Sequence, residues 1–274
     1  METVEGELRS FGHVLDTKLR QVRVVIISDL HFGNPLFSEK HFDRTLKFVL
    51  DNQDVFVILN GDLCESSLKS SKGDIYKQVG SPQDQRDWVI ERLLPIQNRI
   101  LGVTTGNHEN RIYNDCGIDI SKDIASTLAV PYRAEGMLLK IMFGKGNSYH
   151  EEKPYVYWCY ATHGYGGART KGGKSVKVER LATWIHADIY IMSHDHVVNV
   201  SPDVYLVPDN RQLVDKQSGF LTGKVTAHRK MLIKSNAYIK HGGYAELGGF
   251  PPVDLETPII ILHGEGNKRV QVLV

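Results

Sequence analysis

Five short stretches carry side chains able to do chemistry: Asp29-Leu30-His31, Gly61-Asp62, Gly106-Asn107-His108-Glu109, Thr162-His163-Gly164 and Ser193-His194-Asp195-His196. Together they offer imidazoles, carboxylates and one amide. A nitrogen and oxygen donor set without thiolate suits Mn²⁺, Fe, Zn²⁺ or Co²⁺, and the spacing does not choose among them. Singly each stretch says little, since Asp-x-His triplets arise by chance, His163 reads equally as a core histidine and Asp62 as a turn former. What unites them is position. Each follows an apolar run at its carboxyl end, and carboxyl ends of strands in an open α/β sheet border one crevice.

Those runs are Val22 to Ser28, Val55 to Asn60, Ile100 to Thr105, Tyr155 to Thr162 and Ile189 to Ser193, apolar, rich in β-branched residues, and too short and too continuous for amphipathic helices. Asp29 and His31, like His194 and His196, stand two apart, which in extended backbone aims both side chains the same way. Glycines 61, 106 and 164 allow sharp turns into the loops. Between the first two runs Ser38 can cap a helix with Phe42, Leu46, Val49 and Leu50 on one face. Ser81-Pro82 opens a second helix containing Trp88, which Pro95 should end or kink. Further helices are expected at Ser121 to Leu128 and Val176 to His186. This alternation predicts a partly parallel α/β sheet to about residue 196. Residues 199 to 274 read as a β-rich half without a helix, forming a second sheet packed on the first. The polar stretch from Cys64 to Gly80 reads as a solvated connection or a flap, and Cys64 as packing.

A chain of 274 residues, 41% hydrophobic, can bury a large core, and one domain over 1–274 is expected, with residues 1–20 an extension of unknown role. The 33 basic and 32 acidic residues nearly cancel, so no global field marks a general nucleic-acid or membrane binder. Three cysteines at unrelated spacings fit a reducing, cytoplasmic setting, and no apolar run is long enough to span a bilayer. His13, His41, His150, His186, His228 and His263 fall outside the strand-end pattern and read as structural or surface residues.

The ordered blocks closely resemble the signature of the calcineurin-like metallophosphoesterases, over residues 29 to 196. The resemblance implies an α/β/β/α four-layer sandwich of two packed mixed sheets with two metal ions at the strand ends. It places Asp29, His31, Asp62 and His196 on a first ion and Asp62, Asn107, His163 and His194 on a second, with Asp62 bridging. His108 matches the substrate-facing position and Glu109 the carboxylate that orients it. Ser193 stands where glycine is usual before the last histidine pair, and Asp195 fills its variable position. Manganese is the expected metal.

Two such ions, about 3.5–4 Å apart, would share a water, acidify it and present hydroxide in line with the scissile P–O bond. No serine or cysteine nucleophile is then needed, and His108 would protonate the leaving oxygen. For the substrate, the glycine-rich segment 164 to 174 bears Arg169, Lys171 and Lys174 without an acidic residue, as a flexible loop following a polyanion would. Arg111 and His241 are further candidate phosphate contacts. The protein serine/threonine phosphatases share the Gly-Asn-His-Glu string but usually carry arginines where this chain has Thr105 and Glu65-Ser66-Ser67. The chain looks closer to bacterial-type phosphodiesterases and DNA-repair exonucleases. A phosphodiesterase acting on a nucleic acid or nucleotide is therefore expected, with a phosphomonoesterase and a non-catalytic metal-binding scaffold as alternatives. The oligomeric state is left open.

Overall fold

A computed structural model describes residues 7–69, 71, 75–145, 153–247, 249–252 and 254–274, and side chains for all of these but 210, 212 and 244. His150 and residues 1–6 thus lie outside the described residues. In chain order the strands are β1 Ser10–Val14, β2 Gln21–Ile27, β3 Val55–Asn60, β4 Ile100–Thr104, β5 Met137–Phe143, β6 Tyr155–Thr162, β7 Ile189–Met192, β8 Asn199–Val214, β9 Leu221–Lys234, β10 Ile259–His263 and β11 Val270–Leu273. The helices are α1 Glu39–Asp51, α2 Pro82–Leu93, α3 Asn107–Cys116, α4 Ile120–Thr127, α5 Lys171–Leu181 and α6 Gly243–Leu247, with a 3₁₀ turn at Leu94–Arg99 where Pro95 ends α2.

Two mixed sheets stack, with strand orders β1-β5-β6-β7-β9-β8 and β11-β10-β2-β3-β4. Alternation in β2 shows why: Val22, Val24 and Ile26 enter the core between the sheets, while Val25 and Ile27 join the core under the helices. The inter-sheet core adds Leu139, Ile141, Tyr157, Ile191 and Ile233 from the facing sheet. Val178 and Leu181 of α5 cover the outer face of that sheet with Tyr190 and Leu232. Helix, sheet, sheet and helix are the four layers.

Several expectations change in the detail. The second sheet is not the second half of the chain: β10 and β11 extend the β2-β3-β4 sheet, while β6 and β7 belong to the other. Periodicity records that a strand is buried and not which neighbour it pairs with. Residues 10–14 of the presumed extension are an edge strand parallel to β5. A short helix, α6, interrupts the β-rich region. In α1, Phe42, Leu46 and Val49 are buried as expected but Leu50 is 57% exposed, one residue too far around the cylinder. Ser38 occupies the N-cap without a side-chain cap bond, whereas Ser81 forms a full capping box with Asp84. The helix expected over 176–186 spans Lys171–Leu181, so the glycine-rich basic segment is half helix, capped when the Thr170 hydroxyl accepts from Gly173 N–H.

Candidate metal centre

Strands β2, β3 and β4 run parallel, as do β6 and β7, so the carboxyl ends of both sets meet at one edge. Asn60, the last residue of β3, ties the sheets together there. Its Nδ2 donates to the Thr162 carbonyl at 2.8 Å and to Ser193 Oγ at 2.6 Å, and its Oδ1 accepts from Thr104 Oγ1 at 2.9 Å. Ser193, the unusual residue before the histidine pair, is held by Asn60 and by the Ser235 hydroxyl at 2.8 Å.

The i and i+2 residues do converge, but not through extended backbone. Asp29, His31 and His196 have φ of +50°, Asp62 +52° and His194 +70°, all in the left-handed region. Such conformations cost about 1–3 kcal/mol each in non-glycine residues and collect at functional sites. Gly61 and Gly164 share positive φ, at +78° and +96°. Gly106 has φ −94° and is required for space instead, because a Cβ there would lie 2.1 Å from Asp62 N and Oδ1.

Three groups of ligand atoms fall within 4.8 Å of one another: Asp29, His31 and His196; His31, Asp62 and His108; Asp62, His163 and His194. Within them His196 Nε2 is 3.2 Å from Asp29 Oδ1, and His163 Nε2 is 3.1 Å from Asp62 Oδ2. His31 Nε2 lies 3.2 Å from His196 Nε2 and 3.8 Å from Asp62 Oδ2. Asn107 Oδ1 lies 2.7 Å from His194 Nδ1 and 3.2 Å from His163 Nε2. The ring tautomers favour ligation: His163 Nδ1 donates to the Asn60 carbonyl at 2.8 Å and His194 Nε2 to the Gly166 carbonyl at 2.7 Å. That leaves His163 Nε2 and His194 Nδ1 facing the site.

Asp29 Oδ1 and Asp62 Oδ2 are buried without a hydrogen-bond donor, as oxygens reserved for cations would be. Burial pushes Asp29 upward, yet the His196 and His163 imidazoles outweigh it and hold the carboxyl below the ordinary range. Asp62 is likewise held well below its usual value, burial being overcome by His163 and His108. On the other side of that balance, burial opposes a charge on His163 while Asp62 and Asp29 carry its pKa up to about 10. Without metal, the carboxylates thus demand a positive partner. The residues present fit divalent cations.

The calcineurin-like phosphoesterase family model matches residues 22–198, from β2 to just beyond the last histidine pair. The chain belongs to that family. Comparison with curated proteins finds no match. Membership makes this chain a metal-dependent hydrolase of phosphate esters, of a family that uses two metal ions. The stacked mixed sheets with outer helices agree with the family's α/β sandwich.

Around this phosphoesterase centre two carboxylates stand otherwise than the sequence suggested. Glu109 does not reach the His108 ring. Its oxygens accept the backbone N–H groups of Asp62 at 3.0 Å, Cys64 at 2.9 Å and Gly106 at 3.2 Å, because α3 begins at Asn107 and Glu109 closes its first turn. The missed residue is Glu65. Its carbonyl accepts from His108 Nδ1 at 2.7 Å, and its Oε2 lies 3.3 Å from His31 Nδ1 and 3.7 Å from His108 Nδ1. Asn34 Nδ2 and the Ser67 hydroxyl donate to its carboxylate. Burial raises Glu65, but the His31 imidazole beside it brings it down to about 2. The signal lay in the sequence, since Glu65 is a carboxylate three residues after Asp62. The start of the 64–80 connection is therefore buried site wall and not a solvated loop.

His108 Nε2 faces Asp62 Oδ2 at 3.9 Å, and burial first, with His31 adding, lowers the ring to about 4 despite Asp62. Cys64 is fully buried, its thiol pushed well up by burial and by Glu109. Of the candidate substrate contacts, Arg111 lies one turn beyond Asn107 and donates to Ser71 Oγ at 3.0 Å. Arg169 is exposed and stacks on Phe250 at 4.7 Å. Lys171 and His241 are exposed, and Lys174 is not on the surface at all.

Proposed function

We propose that this phosphoesterase hydrolyses phosphodiesters of a nucleotide or nucleic acid, using one ion on Asp29, His31, Asp62 and His196 and a second on Asp62, Asn107, His163 and His194. Manganese is the proposed metal; the nitrogen and oxygen donor set without thiolate fits it, as it fits Fe, Zn²⁺ or Co²⁺. When bound, the ions supply Lewis acidity to the phosphoryl group and acidify an attacking water. Asn60 and Gly166 fix which nitrogens of His163 and His194 face the ions. Asp62 is held from both sides, its Oδ1 accepting the His108 N–H at 2.8 Å while Oδ2 points inward.

His108 is the proposed proton donor to the leaving oxygen. With Nδ1–H given to the Glu65 carbonyl, Nε2 is the atom free to carry and release that proton. The neutral ring of the resting chain gains its proton more readily once an anionic phosphate lies beside it. Arg111, Arg169, Lys171 and His241 are proposed contacts for the rest of the ester.

The observation that carries the diester reading is the absence of a guanidinium at the two places that grip a terminal phosphate in the serine/threonine phosphatases. Thr105 gives its hydroxyl to the Tyr132 phenol at 2.8 Å, and the Glu65-Ser66-Ser67 stretch holds a carboxylate facing His31 and no arginine. A monoester dianion would meet less positive charge there than it needs; a diester monoanion needs less. The three free cysteines support a reducing, cytoplasmic setting. Among the described residues no helix is long and apolar enough to cross a membrane.

The test compares bis-p-nitrophenyl phosphate with p-nitrophenyl phosphate, with Mn²⁺ and with chelator. Metal-dependent turnover favouring the diester supports the reading, and turnover favouring the monoester replaces it with a phosphatase. Single-stranded DNA, RNA and cyclic nucleotides then separate the diester classes.

A further inference from the structure

Beside the metal centre lies a buried cluster that the chemistry above does not use. Asp195 sits between His194 and His196, and its buried side chain is turned to Lys177 and Lys234. Its Oδ1 is 2.6 Å from Lys177 Nζ and its Oδ2 is 2.7 Å from Lys234 Nζ. Lys174 Nζ donates to the Asp195 carbonyl at 2.8 Å, and Lys234 Nζ also donates to the Ser193 carbonyl at 2.7 Å. Lys234 is fully buried, Lys174 is 4% exposed and Lys177 is 9% exposed. Three ammonium groups around Asp195, two on its carboxylate and one on its carbonyl, are costly to bury, and none of them lies in the open to meet a ligand. Their donors converge on Ser193 and Asp195, the residues that precede His194 and His196, and both histidines are held in left-handed backbone.

The same helix shapes the other side of His194. Lys177 packs against Gly166, where a Cβ would come within 2.8 Å of its Nζ, and the Gly166 carbonyl accepts from His194 Nε2 at 2.7 Å. Thus α5 and the end of β9 grip the histidine pair through both its backbone and its ring partner.

We propose that Asp195, Lys177 and Lys234, with Lys174, are positioning residues that lock His194 and His196 in ligating geometry, coupling metal affinity to the packing of α5 and β9. This rests on the two-ion reading of the site. The strained histidine segment does not hold its conformation unaided: it is over-determined by four hydrogen bonds or ion pairs from outside its own loop. Because His196 belongs to the first proposed ion site and His194 to the second, loosening the clamp weakens both.

The experiment is Mn²⁺ titration by calorimetry on the full chain, paired with thermal unfolding in chelator, for Asp195→Asn, Lys177→Met, Lys177→Arg and a control, Leu93→Ala. Leu93 of α2 is fully buried in the core under α1 and α2, a different core from the one beneath α5. Asp195→Asn and Lys177→Met are expected to weaken Mn²⁺ binding about 10–100-fold, the range for partners that orient metal ligands. Lys177→Arg should recover most of it, and Leu93→Ala should lower the metal-free unfolding temperature with affinity within about twofold of the parent. The clamp is overturned if Asp195→Asn and Lys177→Met, folded in chelator, bind Mn²⁺ like the parent. It is equally overturned if Leu93→Ala loses affinity in step with its stability, since the cluster would then be ordinary packing. A parent chain that binds no ion instead brings down the two-ion reading, a result separate from either.

Discussion

Glu109 Oε2 accepts the backbone N–H of Asp62 at 3.0 Å, so the carboxylate next to His108 in sequence braces the chain at Asp62 and leaves the imidazole alone. Glu109→Gln replaces one of its acceptor oxygens with an amide donor that faces buried N–H groups. The expected cost is about 1–3 kcal/mol in urea unfolding. The shape of the pH–rate profile should stay the same. A displaced acidic or basic limb would show that Glu109 tunes His108 after all.

Glu65 is where the imidazoles should be sensitive. Its carboxylate is 3.3 Å from His31 Nδ1, the arrangement that fixes ring orientation and basicity in metal sites. Glu65→Gln is expected to weaken Mn²⁺ binding about 10–100-fold. Equilibrium dialysis with metal analysis checks this, and parent-like affinity would assign Glu65 to His108 alone.

For His108, the expectation is a split by leaving group. His108→Ala should keep both ions and lose about 10²–10⁴-fold in turnover of an alkyl ester, whose alkoxide needs a proton. With p-nitrophenolate, a leaving group stable as an anion, the loss should be much smaller. Equal losses on the two esters would rule out proton donation as the role of the ring.

His41 gives a prediction about stability away from the metal centre. Its Nδ1 lies 2.9 Å from Arg44 Nη2 and its Nε2 3.0 Å from Thr257 Oγ1, a neutral ring accepting on one side and donating on the other. Burial, with Arg44 adding, lowers it from 6.5 to about 4. Between those values the unfolded chain binds a proton that the folded chain refuses, so stability is greatest above pH 6.5 and falls as pH drops toward 4. Partial solvent screening sets the contribution at about 1–3 kcal/mol. Urea midpoints across this range should fall less steeply in His41→Gln than in the parent; parallel slopes would contradict the assignment.

Much of the site was legible because strand ends announce themselves. An apolar run that stops at Asp29, Asp62, Asn107, His163 or His194 needs no tertiary information to suggest a shared crevice, and the layers follow from the same alternation. Helix α3 was harder to read. Asn107–Cys116 is almost wholly polar, with Ile112 its one buried aliphatic residue, so no apolar stripe marked a helix there. Missing that helix also meant missing that Glu109 closes its first turn.

The sequence by itself determined which residue types could ligate metal, that they follow buried strands, and that no thiolate joins them, because composition and periodicity are local properties. Only the tertiary structure decided how they converge, through left-handed backbone at Asp29, His31, Asp62, His194 and His196 in place of an extended i, i+2 pair. It also decided that Glu65 serves the imidazoles, that Lys174, Lys177 and Lys234 gather on Asp195, and that β10 and β11 join the sheet of β2. These are contacts between residues tens to hundreds of positions apart. A backbone angle or a partner at that separation is set by the packing of the whole core, and no window of sequence contains it.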